Sequence, residues 1–341
     1  MNPLILITTF PITLKLLKFT STGLYCPLGD FYIDPSGGVE RAVVTHAHSD
    51  HARRGSTLYF AERSGIPLLK ERVGQSAPIR ALEYGERIQL GQVSLSLHSA
   101  GHILGSAQVR IEYENHVWVV TGDYKRDSDP TCPPFEVVPC DVLVTEATFG
   151  LPVYRWKPVS EVAQEMMEWW RSNRTTGRNS VLFGYSLGKA QRVLAEMKPL
   201  MASHEKILIH DSMEPMNRHY REAGVDLAAT YTFSEVPTGE PLRGVFALLP
   251  PGSATHPILR RLAPFETGFA SGWMRVQKKR EMRRFDRSFV MSDHADWPSL
   301  LRTVRESNAK IVYVMHGENE ILARYLSEKG TPAYPVSELG T

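Results

Sequence analysis

Four side chains that can bind a metal ion lie within six residues of the 341-residue sequence, in the segment Thr45-His46-Ala47-His48-Ser49-Asp50-His51. Imidazole and carboxylate groups are the donors that zinc, manganese and similar divalent ions accept. The segment directly follows the short, β-branched run Arg41–Thr45, which predicts a buried strand. The sequence therefore predicts a metal site at the end of a strand, with a polar loop of internally satisfied groups as the alternative.

Other candidate ligands follow further strand-like runs in the same way. Val117–Thr121 leads to Asp123, Asp141–Thr145 to Glu146, Ser288–Ser292 to His294, and Ile311–Met315 to His316. Buried strands hold the side chains at their ends firmly while leaving them open to solvent, so enzymes commonly build sites there. His102 follows the alternating run Val93–Leu97 and lies among glycines, which permits close approach of the backbone to an ion. Taken singly, His102 and Asp123 are equally well explained as a loop histidine and a capping aspartate.

The composition is that of an ordinary globular protein, with 42% hydrophobic and 22% charged residues and a length that accommodates about two domains. Cys26, Cys132 and Cys140 are scattered, which argues against a disulfide framework and favours a reducing, cytoplasmic location. The apolar segment Leu4–Leu17 contains Pro11 and follows no basic residue, so we expect a leader and an early strand rather than a signal peptide. We expect no transmembrane span.

Charge is concentrated in one place, although the net charge is only +2. Between Arg275 and Arg287, seven basic side chains are set against two acidic ones. The basic residues are Arg275, Lys278, Lys279, Arg280, Arg283, Arg284 and Arg287. This composition is typical of a surface that contacts the phosphate backbone of a nucleic acid, and a solvated helix face is an equally good account.

The region from Leu151 to Arg287 predicts a small α/β unit of alternating helices and strands. The expected elements are a helix capped by Ser160, a strand at Asn179–Tyr185, a helix at Leu187–Leu200, a strand at Lys206–His210 and a helix at Glu214–Ala223. The segment Gly184–Ala190 is one residue too short for a nucleotide-triphosphate loop, and Ala190 stands in place of the metal-binding hydroxyl. A turn with Ser186 and Lys189 could still hold a phosphate at a helix N-terminus.

The candidate ligands occur in the order typical of nucleases of the metallo-β-lactamase superfamily, so the chain resembles metallo-β-lactamase proteins with an inserted β-CASP domain. The residues that carry this resemblance are the His46–His51 motif, Gly101-His102, Asp123, Glu146, His294 and His316. Flanking segments are similar to bacterial ligase-associated DNA exonucleases. These segments are Gly23–Pro27, Gly29–Pro35, Val44–Arg53, Thr121–Arg126, Asp129–Pro133, Gly150–Trp156 and Ser292–Trp297.

The resemblance implies an α/β fold, a metallo-β-lactamase αββα sandwich with an inserted α/β β-CASP domain. The sandwich would comprise residues 1–155 and 289–341, and the insertion residues 156–288. It also implies two divalent metal ions, zinc and/or manganese. His46, His48 and His102 would hold one ion, Asp50, His51 and His316 the other, and Asp123 would bridge both. Such a pair lowers the pKa of a bound water and neutralises charge on the phosphate.

The remaining roles also come from the resemblance. His294, oriented by Glu146, would be the general acid for the departing O3′, and Asp34 would orient ligands. A histidine at the place of His316 is generally absent from Artemis-like DNA repair nucleases and generally present in RNA-processing β-CASP enzymes, so this residue leaves the type of nucleic acid open. The flanking motifs favour DNA.

We therefore expect a 5′-to-3′ single-strand DNA exonuclease in DNA repair, with an ATP-dependent DNA ligase and a helicase as partners implied by the resemblance. The strand would contact basic and hydroxyl side chains between the two domains. These are Lys125, Arg126, Ser186, Lys189, Ser271, Arg275, Lys278, Lys279, Arg280, Arg283 and Arg284. The alternatives are an RNA-processing nuclease, a small-molecule metallo-hydrolase such as a thioesterase, and an inactive nucleic-acid-binding scaffold.

Overall fold

A computed structural model of the chain describes residues 15–237, 239, 242–276 and 285–340. Within these ranges the chain forms three β-sheets and six α-helices. The mixed α/β class expected from the sequence is confirmed. None of the described helices is long and apolar enough to span a membrane.

The first sheet has six strands and carries the loop with the histidine motif. Its strands, in spatial order, are β1 Lys18–Thr20, β2 Gly23–Cys26, β3 Phe31–Ile33, β4 Arg41–Val43, β5 Leu58–Glu62 and β6 Ile79–Leu82. β1 to β3 pair antiparallel and β3 to β6 pair parallel. The early strand expected before Leu17 falls largely outside the described residues, and residues 15–17 precede β1 without forming a strand.

The second sheet has seven strands and supplies most of the other candidate ligands. Its strands are β7 Arg87–Leu90, β8 Val93–Ser99, β9 Ala107–Tyr113, β10 His116–Val120, β11 Val142–Glu146, β18 Ile311–Met315 and β19 Ala333–Pro335. β7 to β10 pair antiparallel, whereas β10, β11, β18 and β19 run parallel to one another. The ends of β10, β11 and β18 therefore lie at the same edge, and the side chains that follow them converge there.

The third sheet is formed by residues from the middle of the chain, and all its pairings are parallel. Its strands, in spatial order, are β14 Thr230–Thr232, β13 Ile207–Ile209, β15 Phe246–Leu249, β12 Asn179–Phe183, β16 Phe265–Ala270 and β17 Arg287–Phe289. Every residue of β12 is buried, as a central strand covered on both faces requires. The helices are α1 Ile66–Val73, α2 Val159–Thr175, α3 Lys189–Met197, α4 Glu214–Glu222, α5 Trp297–Glu306 and α6 Asn319–Glu328.

Apolar side chains join these layers. One core lies between the first two sheets and includes Phe31 and Phe60 from the first sheet and Trp118 from the second. α5 and α6 cover the other face of the second sheet. A further core packs α1 and the first sheet against α2, α3 and the third sheet, so the middle segment is held directly against the layer that carries the histidine motif.

Two boundaries differ from those that the sequence predicts. The helix expected to be capped by Ser160 begins at Val159, and its N-cap residue is Pro158. No side chain caps this helix, because the ring of proline carries no hydrogen-bond acceptor. The predicted strand at Ser288–Ser292 ends at Phe289. The following backbone is drawn toward α3, because the carbonyl oxygen of Ser292 accepts a 2.7 Å hydrogen bond from Arg192.

Candidate metal centre

The loop after β4 turns the histidine motif toward the interior. The amides of His51 and Ala52 both donate to the carbonyl oxygen of His48, at 3.1 and 2.9 Å, which closes a helix-like turn. His46 and His51 are buried, whereas Asp50 is exposed. The turn therefore presents His46, His48 and His51 from one short segment, as the spacing predicts.

Three imidazole nitrogens converge on one point. Nδ1 of His48 lies 3.1 Å from Nε2 of His46 and 3.1 Å from Nε2 of His102. The Asp123 carboxylate completes this group, with Oδ2 3.6 Å from Nε2 of His46 and 3.8 Å from Nε2 of His102. Three neutral nitrogens and one carboxylate form a donor set that fits a borderline divalent ion.

The outward nitrogens of these imidazoles have partners that fix the tautomers. Nδ1 of His102 donates to the carbonyl oxygen of Asp293 at 2.8 Å, and Nε2 of His48 donates to that of Leu187 at 3.2 Å. Nδ1 of His46 lies 3.0 Å from Oγ1 of Thr45, whose own proton is donated to Asp34. Each inward nitrogen is then left with a lone pair. Ligand imidazoles in metalloproteins are oriented in the same way.

Burial also favours the neutral form of these three imidazoles. It lowers the pKa of His46 and that of His102 well below the usual value, and it lowers the pKa of His48 as well. Nearby histidines lower the pKa of His46 and His102 further. The imidazoles are therefore neutral at physiological pH, which is the form that binds metal.

A second group consists of His51, Asp123 and His316. Nε2 of His51 lies 3.4 Å from Oδ2 of Asp123, while its Nδ1 donates to Oδ2 of Asp34 at 2.8 Å. Burial lowers the pKa of His51, but the carboxylates of Asp123 and Asp34 outweigh it and raise this pKa well above the usual value. The two carboxylates make the electrostatic potential near Nε2 of His51 negative. A divalent cation would neutralise this potential, so His51, Asp123 and His316 also fit a metal ion.

His316 and Asp50 lie at the periphery of this second group. The ring of His316 is exposed, and its centroid is 5.4 Å from that of His51. Oδ2 of Asp50 lies 3.7 Å from Nε2 of His51, but the side chain is 73% exposed and lies outside the compact group of His51, Asp123 and His316. The role of Asp50 as a ligand stays a prediction.

The third arrangement is the pair of Glu146 and His294. Nδ1 of His294 lies 3.1 and 3.0 Å from the two carboxylate oxygens of Glu146, which also accepts a 2.7 Å hydrogen bond from the amide of Tyr124. Burial lowers the pKa of His294, but Glu146 and Asp123 outweigh it and raise this pKa to about 9. His294 is thus an oriented, protonated imidazole, as the sequence predicts for a general acid.

Members of all three groups, namely His48, His51, Asp123, His294 and His316, line one cavity of about 600 Å³. Ser186, Lys189 and Ser271, which the sequence analysis assigned to substrate binding, line the same cavity. A space of this volume accommodates a ligand of nucleotide size. Residues predicted from separate strands are therefore brought together around one open cavity.

Known proteins similar to this chain are named as nucleic-acid enzymes. No family model matches the chain. A probable DNA ligase of Opitutus terrae is 30% identical over 324 residues, which are 94% of this chain and 31% of that protein. Ribonuclease TTHA0252 of Thermus thermophilus is 30% identical over 48% of this chain and 44% of its own length, and the endoribonuclease YSH1 of Eremothecium gossypii is 25% identical over 38% and 17%.

These relatives point to the metallo-β-lactamase/β-CASP nuclease superfamily. The chain spans less than half the length of each of them. A solved structure of a protein of unknown function from Enterococcus faecalis has a TM-score of 0.60 over 88% of this chain and 80% of that one, at 13% identity. That likeness concerns the fold alone.

Three of the nine basic residues predicted to contact a nucleic acid are buried or paired within the protein. Lys125 is buried, and the Arg126 guanidinium donates to Glu306 at 2.6 Å and to Thr303 at 3.1 Å. Nζ of Lys189 donates to Oδ1 of Asp293 at 2.7 Å. Arg275 is exposed, whereas Lys278, Lys279, Arg280, Arg283 and Arg284 lie outside the described residues. The nucleic-acid contacts of all these residues stay a prediction.

Lys189 belongs to a buried charge cluster that the sequence analysis missed. The cluster consists of Lys189 and Arg192 of α3 with Asp129 and Asp293. Nε of Arg192 lies 3.3 Å from Asp129, and its Nη1 lies 3.7 Å from Asp293. The carbonyl oxygen of Asp293 in turn accepts from His102, so the cluster connects α3 to a candidate ligand. No local signal distinguishes Arg192 from a solvated helical arginine, because its partners are distant in the sequence.

We expect Arg192→Met to lower the free energy of unfolding by about 3 to 5 kcal/mol, because it leaves two buried carboxylates without this partner. Arg192 is only 1% exposed. The loss, measured by denaturant unfolding, should be larger at pH 8 than at pH 5, since protonation of Asp129, whose pKa is raised by burial to about 6, removes one uncompensated charge.

Arg324→Met is the matched control, because Arg324 forms only an exposed pair with Glu328, and it should cost less than about 1 kcal/mol. Equal effects of the two substitutions would contradict the importance of the buried cluster.

Proposed function

We propose that this chain is a metal-dependent phosphodiesterase that hydrolyses DNA, acting as a 5′-to-3′ exonuclease on single strands. The observation that carries the proposal is that two groups of candidate metal ligands share Asp123 and open into the same cavity as the His294–Glu146 pair. A small-molecule hydrolase of the superfamily needs the ligands but no such acid. The proposal includes the αββα assignment of the first two sheets and the insertion at residues 156–288.

The candidate ligands divide between two positions around the shared carboxylate. His46, His48 and His102 would hold one divalent ion, and His51 and His316, with Asp50, the other. Zinc or manganese, when bound, lowers the pKa of a coordinated water and offsets the negative charge of a phosphodiester. Asp123 is suited to bridging because one oxygen, Oδ2, lies within 4.0 Å of nitrogens of His46, His51, His102 and His294.

His294 acts at the other end of the reaction. When the bond to the leaving O3′ breaks, the oxygen gains negative charge, and an imidazolium beside it can donate a proton. Glu146 holds Nδ1 of His294, so Nε2 is the nitrogen that faces substrate, and the carboxylate keeps the ring protonated. From a strand with a 5′-phosphate, the two products are a 5′-mononucleotide and a strand that is shorter by one residue and again carries a 5′-phosphate.

DNA is favoured over RNA as the substrate because the relative named as a DNA enzyme aligns with more of this chain than the named ribonucleases do. The relative named as a DNA ligase aligns with 94% of this chain, whereas the two named ribonucleases align with 48% and 38%. An RNA-processing β-CASP nuclease is the second candidate, and the presence of His316 together with those ribonucleases favours it. The DNA ligase relative also motivates the proposal that this chain works in DNA repair in the cytoplasm, with an ATP-dependent ligase and a helicase as partners.

The test is degradation of matched, end-labelled DNA and RNA strands with 5′-phosphate or 5′-hydroxyl ends, each with zinc or manganese. We expect mononucleotides to be released from the 5′ end of single-stranded DNA. Faster degradation of RNA would show that RNA, not DNA, is the substrate. Internal cleavage would show that the enzyme is an endonuclease. Thioester hydrolysis without nuclease activity would overturn the proposal.

Arg72 is a further candidate for contact with the substrate phosphates. It lines the cavity, and its Nε donates to the carbonyl oxygen of Ala47 at 3.2 Å. Its terminal nitrogens have no hydrogen-bond partner in the part of the chain that the structure describes. The guanidinium is thus fixed to the histidine loop with two nitrogens available to a phosphate.

We expect Arg72→Gln to weaken binding of a single strand and to reduce the slope of log affinity against log salt by about 0.7, the value for one lost phosphate contact. Fluorescence anisotropy of labelled DNA across a salt series measures both quantities. Arg218→Gln is the control, because Arg218 is 61% exposed and lies outside this cavity. An unchanged slope would exclude Arg72 from the interface.

A further inference from the structure

The cavity beside the candidate ligands has an aromatic side as well as a polar one. Tyr185 and Trp273 both line it, together with His294. Tyr185 is 52% exposed, although it lies between the buried residues Phe183 and Leu187 in the turn from β12 to α3. An aromatic ring that remains this exposed beside a polar site offers a free face to a planar ligand.

Trp273 is the more firmly held of the two rings. Its centroid lies 4.7 Å from that of Phe149 and 5.9 Å from that of Tyr154. The preceding Gly272 packs so closely that an added Cβ would come within 2.6 Å of the Phe149 ring. The Trp273 ring is therefore positioned before any ligand arrives, which reduces the entropy cost of binding to it.

The indole N–H of Trp273 is also available. Two other tryptophans donate to internal acceptors, since Nε1 of Trp156 bonds the carbonyl oxygen of His294 at 2.9 Å and Nε1 of Trp170 bonds that of Gly244 at 2.8 Å, whereas Nε1 of Trp118 is buried without a partner. Among the described residues, Nε1 of Trp273 has no acceptor, and it is not sealed from solvent. A ligand with both a flat face and oxygen or nitrogen acceptors would satisfy the ring and the donor together.

We propose that Tyr185 and Trp273 form a stacking site for the base of an unpaired nucleotide. This inference rests on the proposed phosphodiesterase activity, which places a phosphate at the polar side of the cavity. A nucleobase has the planar face and the acceptors that the aromatic side requires, and every base can stack, so the site accepts strands of any sequence. Bases inside a duplex are covered on both faces, so the site selects unpaired ends.

The polar and aromatic sides are close enough to act on one nucleotide. Phe149, which supports Trp273, lies 5.9 Å from the His294 ring, centroid to centroid. A base on the aromatic side would therefore be within one nucleotide of the group proposed to protonate the leaving O3′. Stacking of the base would then help to place the scissile bond beside His294 and would also raise the affinity for the strand.

The experiment measures strand binding separately from hydrolysis. Binding of labelled single-stranded DNA is followed by anisotropy in EDTA, with a strand of ordinary bases and with one whose first residues at the 5′ end are abasic. We expect Tyr185→Leu and Trp273→Leu each to weaken binding of the ordinary strand by about 5- to 150-fold, the range for one stacked base. Neither substitution should change binding of the abasic strand.

Conservative variants and a control distinguish stacking from loss of structure. Tyr185→Phe keeps the ring and should bind as the unaltered protein does, whereas Tyr334→Leu, at a 40% exposed tyrosine outside the cavity, should have no effect. Because Tyr185 is exposed, Tyr185→Leu tests the site even if Trp273→Leu fails to fold.

Equal binding of ordinary and abasic strands by the unaltered protein, or no effect of Tyr185→Leu, would overturn the stacking site. If unaltered protein with metal hydrolyses neither DNA nor RNA, the proposed function fails instead. The hydrolysis assay with metal shows that outcome, and the binding measurement in EDTA does not depend on it.

Discussion

Asp123→Asn should remove most of the bound metal and abolish hydrolysis. The substitution preserves the shape of the side chain and removes its charge, so the loss reports on electrostatics rather than packing. Four histidines contribute a nitrogen within 4.0 Å of Oδ2 of Asp123, and an amide cannot offset the charge of cations held among them. Residues that only orient a ligand typically change metal affinity by about 10- to 100-fold, so a shared ligand should exceed that range.

The measurement is the metal content of the purified variant, together with turnover of single-stranded DNA. Charges of neighbouring histidines, notably His51 and His294, hold the pKa of Asp123 well below its usual range despite burial, so the carboxylate is ionised at all working pH values. Asp30→Asn, at an exposed position in the turn between β2 and β3, is the control and should leave both quantities unchanged. Full metal content with near-normal turnover would contradict the bridging role.

The ligand cluster was the part of the site most accessible from sequence. Asp123, Glu146 and His316 each follow a short apolar run, and β10, β11 and β18 are parallel neighbours, so the ends of those runs meet at one edge. Parallel order in a buried sheet thus converts positions separated in the chain into neighbours in space. The strand pattern predicted polar residues at these strand ends, whereas their assignment as metal ligands came from the resemblance to a known family.

The substrate side was predicted less well for a physical reason. Lys189 follows a glycine-rich turn and has the sequence context of a phosphate-binding lysine, yet its ammonium group is paired with Asp293, 104 residues later. Arg192 donates to the carbonyl oxygen of Ser292, 100 residues later. Whether a cation is free or paired depends on tertiary contacts of this kind, which no local pattern encodes. The exposed ring of Tyr185 escaped notice for the same reason.

The internal pairing of the basic side chains and the exposed ring of Tyr185 together change where the substrate is expected to bind. With Lys189 and Arg126 occupied by internal carboxylates, the proposed substrate site would rely on Arg72 and metal ions for phosphates and on aromatic rings for bases. Such a site holds the first nucleotides of a strand more firmly than its distant backbone. Contacts of this kind would suit the proposed exonuclease, because they act at the end of a strand.

His294→Ala should slow hydrolysis by about 10² to 10⁴, the range for losing a general acid, while leaving metal content largely intact. The imidazole lies at the edge of the ligand groups and is held by Glu146, so its removal should disturb the reaction more than the site. Metal analysis and turnover of single-stranded DNA check both parts. His210→Ala, at a histidine outside the cavity, is the control and should have no effect.

The pH profile and the leaving group identify the role of His294 as an acid. A general acid works only while protonated, so the rate of the unaltered protein should fall as pH rises through the pKa of His294, which Glu146 and Asp123 raise to about 9 against the effect of burial when no ion neutralises Asp123. This decline should be absent in His294→Ala. A p-nitrophenyl phosphodiester, whose leaving group needs no proton, should be hydrolysed almost equally by both proteins. If the variant is equally slow on that ester, His294 contributes to binding or to the metal centre rather than to protonation of the leaving group.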